Sequence, residues 1–284
     1  MRKLVAGLIS LSLTCGPCAF AQDTGSAAKP NFPHPGYLPL PPHFQPRRAN
    51  AAAKVTVAPP LLPLYAQPAL PEEGYLWVPG FWAWREAVPD YYWVPGTWVK
   101  PPRSGLLWTP AYWSRVDGGY VFHAGYWAEE VGFYGGIDYG FGYEGDGYQG
   151  GRWEKGSLFY NKAANNLGSL GVANVYDQAI SAGNEAGRVS FNGGSKGTTA
   201  RPTPRQEALA NEPHDVPTAE QRQHFELAAM DRSLYSNLNH GAPGVAATSR
   251  AAILDGPGVT RSSALLDHAS EPASAVTTGA NVKK

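Results

Sequence analysis

The sequence predicts a mainly β fold organised as an antiparallel aromatic meander of about four bulged strands. Three observations carry that reading. An eight-residue pattern recurs four times: YLWVPGFW from Tyr75 to Trp82, YYWVPGTW from Tyr91 to Trp98, LLWTPAYW from Leu106 to Trp113 and YVFHAGYW from Tyr120 to Trp127. The closing tryptophans stand 16, 15 and 14 residues apart, a unit that holds one strand and a turn and is too short for a helical repeat. Turn-forming residues separate the units, at Val88-Pro89-Asp90, Pro101-Pro102-Arg103-Ser104-Gly105 and Asp117-Gly118-Gly119.

Each unit reads Trp-x-x-Gly-x-Trp. Trp77 and Trp82 are five residues apart, a separation that puts them on opposite faces of a regular strand. Pro79-Gly80 lies between them and is where an extra residue enters as a β-bulge, returning both rings to one face. That face then carries Tyr75, Trp77, Trp82, Trp84, Tyr91, Trp93, Trp98, Leu106, Trp108, Trp113, Tyr120, Phe122 and Trp127, with Trp77 near Trp98 because the strands reverse. Aromatic cross-strand pairs add roughly 0.5–1.5 kcal/mol each beyond area burial, enough in sum to fix the register. The opposite face (Leu76, Val78, Phe81, Tyr92, Val94, Val99) is also apolar, so the sheet needs cover on both sides.

These units resemble the YXWGXW, or WXXGXW, repeat of a family of exported bacterial proteins. The Gly/Tyr-rich stretch from Val131 to Trp153, the run Val189-Ser-Phe-Asn-Gly-Gly194, Arg201-Pro-Thr-Pro204 and the segment from Ser233 to Gly241 are similar to that family too, over residues 55 to 250. Two units depart from the pattern: Ala111 replaces the glycine and Phe122 replaces the first tryptophan. If the glycine is there to adopt positive φ, Ala111 is strained. The resemblance implies an exported protein of unestablished activity and supplies no catalytic residue.

Taken in order, residues 1–21 read as a signal peptide. Arg2 and Lys3 precede an apolar run from Leu4 to Leu13, and Ala19-Phe20-Ala21 forms the cleavage site. The apolar run is too short to span a bilayer, so no transmembrane span is expected in the mature chain. Soluble export leads a lipoprotein alternative, because Ser12 stands three before Cys15 and Pro17 directly precedes Cys18. Both cysteines leave with the leader, which removes disulfides and thiol catalysis from the rest. Residues 22–53 form a proline-rich linker, and residues 54–197 hold the repeats and a glycine-rich extension. Within that extension the glycines predict compact loops lying against the tryptophan face, with short strands at Leu158–Asn161, Val172–Tyr176 and Arg188–Phe191.

Residues 198–240 form a helical region. Thr203 with Gln206, and Thr218 with Gln221, are capping boxes, the first with Pro204 at N1. The second helix is expected to run to about Asn237 on a stripe of Leu227, Met230, Leu234 and Leu238. Residues 241–284, rich in Ala, Ser, Gly and Pro, read as a disordered tail.

Chemistry-bearing residues are sparse. Glu129, Glu130, Asp138, Glu144 and Asp146 crowd the exit from the repeats, where two could serve as acid and base of a glycosidase. Their bland reading as solvated loop acids leads, and the Asp138–Asp146 spacing fails the calcium-loop pattern. His123 has no second histidine at ligand spacing and reads as a hydrogen-bonded strand residue. No metal or cofactor is implied, and the near-balance of acidic and basic residues gives no footprint for nucleic acid.

The tryptophan face is the remaining candidate. If it is open, Trp77, Trp82, Trp84, Trp93, Trp98, Trp108, Trp113 and Trp127 form a stacking platform for an envelope polysaccharide or protein; if covered, they are the core, and the core reading leads. The function expected is that of a non-enzymatic structural or binding scaffold of the periplasm or cell envelope. The alternative is a polysaccharide hydrolase using the acids near 129–146.

Overall fold

The computed structural model describes residues 54–181 and 188–263. The expected signal peptide and linker, residues 1–53, lie outside the described residues, as do residues 264–284 of the expected tail. The fold is mainly β, as the repeats require. Units one and two make one long hairpin. Strands β1 (Leu76–Val78) and β2 (Phe81–Arg85) run out; β3 (Asp90–Val94) and β4 (Gly96–Val99) run back. Trp77 faces Trp98 across β1 and β4, and Trp82 faces Trp93 across β2 and β3. Units three and four repeat the plan with β5 (Leu107–Thr109), β6 (Tyr112–Val116), β7 (Gly119–His123) and β8 (Tyr126–Ala128). Here Trp108 faces Trp127 and Trp113 faces Phe122.

The first ladder breaks at its two Pro-Gly pairs and the second at Pro110-Ala111 and Ala124-Gly125, but in a different form from a one-residue bulge. Pairing stops on both arms at the same level and resumes in the same register, so neither arm carries an extra residue. In that register Pro79 stands opposite Gly96, and Gly80 opposite Pro95. Each proline, which has no N–H to give the ladder, meets a glycine whose missing side chain leaves room. The meander is also divided: the four units close as two hairpins packed on each other. Phe81 stacks on Phe122 at 5.8 Å, Tyr91 meets Trp113 edge-on at 5.3 Å, and the Trp113 indole donates to the Trp82 carbonyl at 2.7 Å. Leu76, Val78 and Val99 of the first hairpin form one apolar cluster with Leu106, Trp108 and Trp127.

The glycine-rich segment folds back on the second hairpin as β9 (Asp138–Gly140) and β10 (Tyr143–Glu144). Its tyrosines anchor it. Tyr139 donates to the Ala111 carbonyl at 2.5 Å and Tyr143 to that of Trp108 at 2.9 Å. This is the compact packing that the glycine density implied. Strand β11 (Gly151–Glu154) pairs with β12 (Ser157–Asn161), and β13 (Val175–Tyr176) joins β12 in parallel. Strand β14 (Phe191–Asn192) runs parallel to β6.

Both capping boxes form, at the starts of α1 (Pro204–Leu209) and α2 (Ala219–Met230). Helix α2 ends sooner than its leucine spacing suggests. Asp231 leaves helical geometry at φ −81°, ψ 107° and caps a 3-10 turn, Arg232–Leu234, through its side chain. Met230 and Leu238 consequently face solvent while Leu234 is buried. The inward face of α2 is instead Gln221, His224 and Ala228. Ala228, Leu234 and Tyr235 belong to the same core as Trp77, Trp82, Trp93 and Trp98, so the helical region is packed into the repeat domain.

Residues 241–263 are not a loose tail. Strand β15 (Ala247–Thr248) lies parallel to β4, Ala247 beside Gly96 and Thr248 beside Thr97, and β16 (Val259–Thr260) closes the sheet. Ala246 and Ala247 are fully buried. Small side chains here serve a close backbone approach to Gly96, a composition that mimics disorder in sequence.

Candidate functional site

The tryptophans decide how the repeats are used. Trp77, Trp82, Trp93, Trp98, Trp108, Trp113 and Trp127 are each at most 3% exposed. Trp84 alone of the eight candidates is half-buried. The condition for an open platform is therefore not met by those seven, whose faces are occupied by protein. Their indole N–H groups do a second job. Trp82 donates to the Leu61 carbonyl at 3.0 Å, Trp98 to that of Pro68 at 2.9 Å, and Trp93 to that of Ala246 at 2.9 Å. Trp127 donates to Gln221 Oε1 at 2.8 Å. The segment before the repeats, the segment after the helices and helix α2 are thus each tied to a repeat ring. A buried N–H is costly without an acceptor, so in these four rings it selects which group lies on it.

The rings also explain the glycines. Trp77 covers Gly96, Trp93 covers Gly80 and Trp108 covers Gly125, so closely that a Cβ at any of the three would collide with the ring's Cζ2. None of the three glycines has positive φ. The glycine is required by ring contact, not by backbone conformation, and Ala111 is not strained on that account. By register, Ala111 is the position over which Phe122 stands in place of a tryptophan. The two departures from the repeat thus fall by register on one matching pair of positions, a smaller ring facing a residue with an added methyl.

A family model described as the WXXGXW repeat matches residues 74–99 and residues 103–128. The chain carries two copies of the WXXGXW repeat. Each copy spans one hairpin and so contains two of the four sequence units; in this chain a copy of the repeat is one hairpin with two facing aromatic pairs. No curated protein and no solved structure matches the chain.

The acids near the repeat exit are held by the fold. Glu129 faces Arg103 at 3.5 Å and Glu130 faces Arg205 at 2.6 Å, both at the surface. Asp138 Oδ1 accepts from the Gly140 amide at 2.9 Å, Glu144 Oε1 from the Gly142 amide at 3.1 Å, and Asp146 Oδ1 from Gln206 Nε2 at 2.6 Å. Asp138 and Glu144 sit opposite each other in the β9–β10 pair. Burial pushes both carboxyls above the usual carboxylate range, and for Glu144 the neighbouring Asp138 charge adds to it. His123 stacks on Tyr112 at 4.3 Å and shares a 2.7 Å hydrogen bond with Ser114, the satisfied strand histidine its spacing suggested; burial lowers its pKa. Among the described residues no group of three potential ligands gathers for a metal.

His224 carries a structural role that the scattered histidines gave little hint of. It is fully buried, its Nδ1 accepting from the Ala252 amide at 3.0 Å. Nε2 must then carry the proton and donates it to the Pro95 carbonyl at 2.8 Å. One imidazole so joins α2, the break of the first hairpin and the C-terminal segment. The sequence signal was positional: Gln221, His224 and Ala228 share one helical face, where a polar pair among small residues marks an inward hydrogen-bonding stripe.

Proposed function

We propose that this chain is a non-enzymatic structural or binding scaffold of the bacterial cell envelope, exported with removal of residues 1–21. The observation that carries the reading is the use of the repeats. Their rings are buried, and their polar atoms are employed in holding flanking segments, which is how a rigid carrier of surface loops is built. The leader-like order of Arg2-Lys3, apolar run and Ala19-Phe20-Ala21 supports export. Two measurements test it. Expression of the full chain with a C-terminal tag should give an envelope-fraction product whose sequence starts at Gln22. Pelleting with insoluble wall polymer should retain the protein without release of reducing sugar.

A hydrolase is the second reading, favoured by the facing carboxyls Asp138 and Glu144 with raised pKa, the property that keeps a general acid protonated. Release of soluble fragments by the wild type, abolished in Glu144→Gln with folding intact, would establish it and displace the scaffold reading.

A further inference from the structure

Two tyrosine hydroxyls meet the two broken ladders. At the second hairpin, Tyr139 donates to the Ala111 carbonyl; at the first, the Gly80 amide donates to the Tyr65 hydroxyl at 3.4 Å. Both tyrosines line one cavity of about 250 Å³ over the first break, together with Gly80, Trp93 and Phe141. Its lining also includes Asp138 and Arg188, neither of which forms an ion pair with any described residue. Phe141 and Arg188 hold left-handed backbone conformations, at φ 55° and 73°. These are two of six such non-glycine residues among those described. Left-handed geometry costs a side-chain-bearing residue of order 1–3 kcal/mol and gathers where a site over-determines the backbone.

We propose that this cavity binds a single uncharged pyranose ring, as the terminal or protruding sugar of an envelope glycan. The inference deepens the scaffold reading and rests on it. Its volume lies below the roughly 300–1,000 Å³ of a drug-sized site and suits one ring better than an extended peptide. The partly exposed rings of the lining, Tyr65 and Phe141, offer apolar edges that match the C–H faces of a sugar, over a floor closed by the buried Trp93 and Tyr139. A carboxylate and a guanidinium are the planar groups that bond vicinal hydroxyls in pairs, the first accepting and the second donating. Their opposite charges cancel in the lining, so the ligand need bring none. An anionic or cationic ring would leave one of them opposed by a like charge.

Isothermal titration of the folded full-length mature chain with methyl β-glucopyranoside, glucuronate and phenylalanine tests the assignment. Saturable millimolar binding of the neutral glycoside, at least fivefold tighter than of the other two, is expected. Asp138→Asn keeps an acceptor for the Gly140 amide and should fold with an unchanged thermal midpoint, Arg188→Gly relieves the left-handed backbone and should fold with a midpoint no lower than wild type, and both should weaken the glycoside at least tenfold. Arg250→Gln, in a separate groove beside Tyr75, should bind as wild type. Tighter binding of glucuronate or phenylalanine, no saturable glycoside binding, or binding indifferent to both cavity variants overturns the proposal. Wall pelleting that persists when the glycoside fails leaves the scaffold reading standing, whereas loss of both removes the two together.

Discussion

The Trp77 indole lies over Gly96, and a Cβ on Gly96 would sit 2.7 Å from its Cζ2. The same contact recurs with Trp93 over Gly80, where the Gly96 amide and the Val94 carbonyl, each 2.8 Å from such a Cβ, leave no room to yield. Gly80→Ala and Gly96→Ala should each destabilise by about 1–3 kcal/mol, the range for overpacking a filled core. Gly80→Ala combined with Trp93→Phe recreates the Ala111–Phe122 arrangement of the second hairpin. Urea unfolding of the two single variants and the double should show a favourable coupling of about 1 kcal/mol or more. Additive losses would mean that the two natural departures from the repeat are unrelated.

Trp77 and Trp98 face each other edge-on at 5.4 Å, yet only one has its N–H employed by the described residues. Trp98 donates to the Pro68 carbonyl, while Trp77 Nε1 is buried without a protein partner. Replacing either by Phe removes a similar volume. Trp98→Phe also orphans a buried carbonyl, so it should cost about 1–2 kcal/mol more than Trp77→Phe in chemical denaturation.

His224 gives the fold a defined acid limit. Burial lowers its pKa from 6.5 to about 4. A second proton would set an N–H on Nδ1 against the Ala252 amide. Below pH 6.5 the unfolded chain takes up a proton that the folded chain refuses, so stability is full above that pH and falls as the pH drops toward 4. The loss from this residue sums to about 3 kcal/mol. His224→Gln keeps one donor and one acceptor and titrates nothing. Between pH 6.5 and 4 its unfolding free energy should lose less with acid than the wild type's, by up to about 1.4 kcal/mol per pH unit. Parallel pH profiles would place the acid sensitivity elsewhere.

What the sequence disclosed were the features written in neighbouring residues. Thr203 with Gln206 and Thr218 with Gln221 announce helix starts because a capping box is complete within four positions. The pairing of Trp77 with Trp98 follows from chain reversal and the period of the repeat. The matched break was harder to read, since a five-residue spacing fits an inserted residue on one arm as well as a simultaneous interruption of both. Residues 246–248 were hidden for another reason: Ala246 and Ala247 have the composition of a linker, and only the glycine across from them, Gly96, makes small size a packing requirement. The cavity over the first break joins Tyr65, Trp93, Asp138 and Arg188, residues brought together by tertiary packing that no local spacing announces.

Tryptophan fluorescence tests the central assignment, that the repeats are core. Seven of the nine rings are at most 3% exposed, leaving Trp84 and Trp153 half-buried. Even these are constrained: Trp84 packs edge-on against Tyr91 at 4.9 Å, and Trp153 donates to the Leu106 carbonyl at 2.9 Å. Emission from the folded chain should therefore be blue-shifted relative to the urea-unfolded chain, with most of its intensity shielded from acrylamide. The quenchable minority should fall when Trp84→Phe and Trp153→Phe are combined, because the rings left behind have no face open to the quencher. Uniform, efficient quenching in a chain shown by circular dichroism to be folded would instead mean that the segments tied to the indoles, from Leu61 to Pro68 and around Ala246, release readily in solution. The rings beneath them would then be open to stack on a ligand, and the repeat would be a covered platform instead of a core.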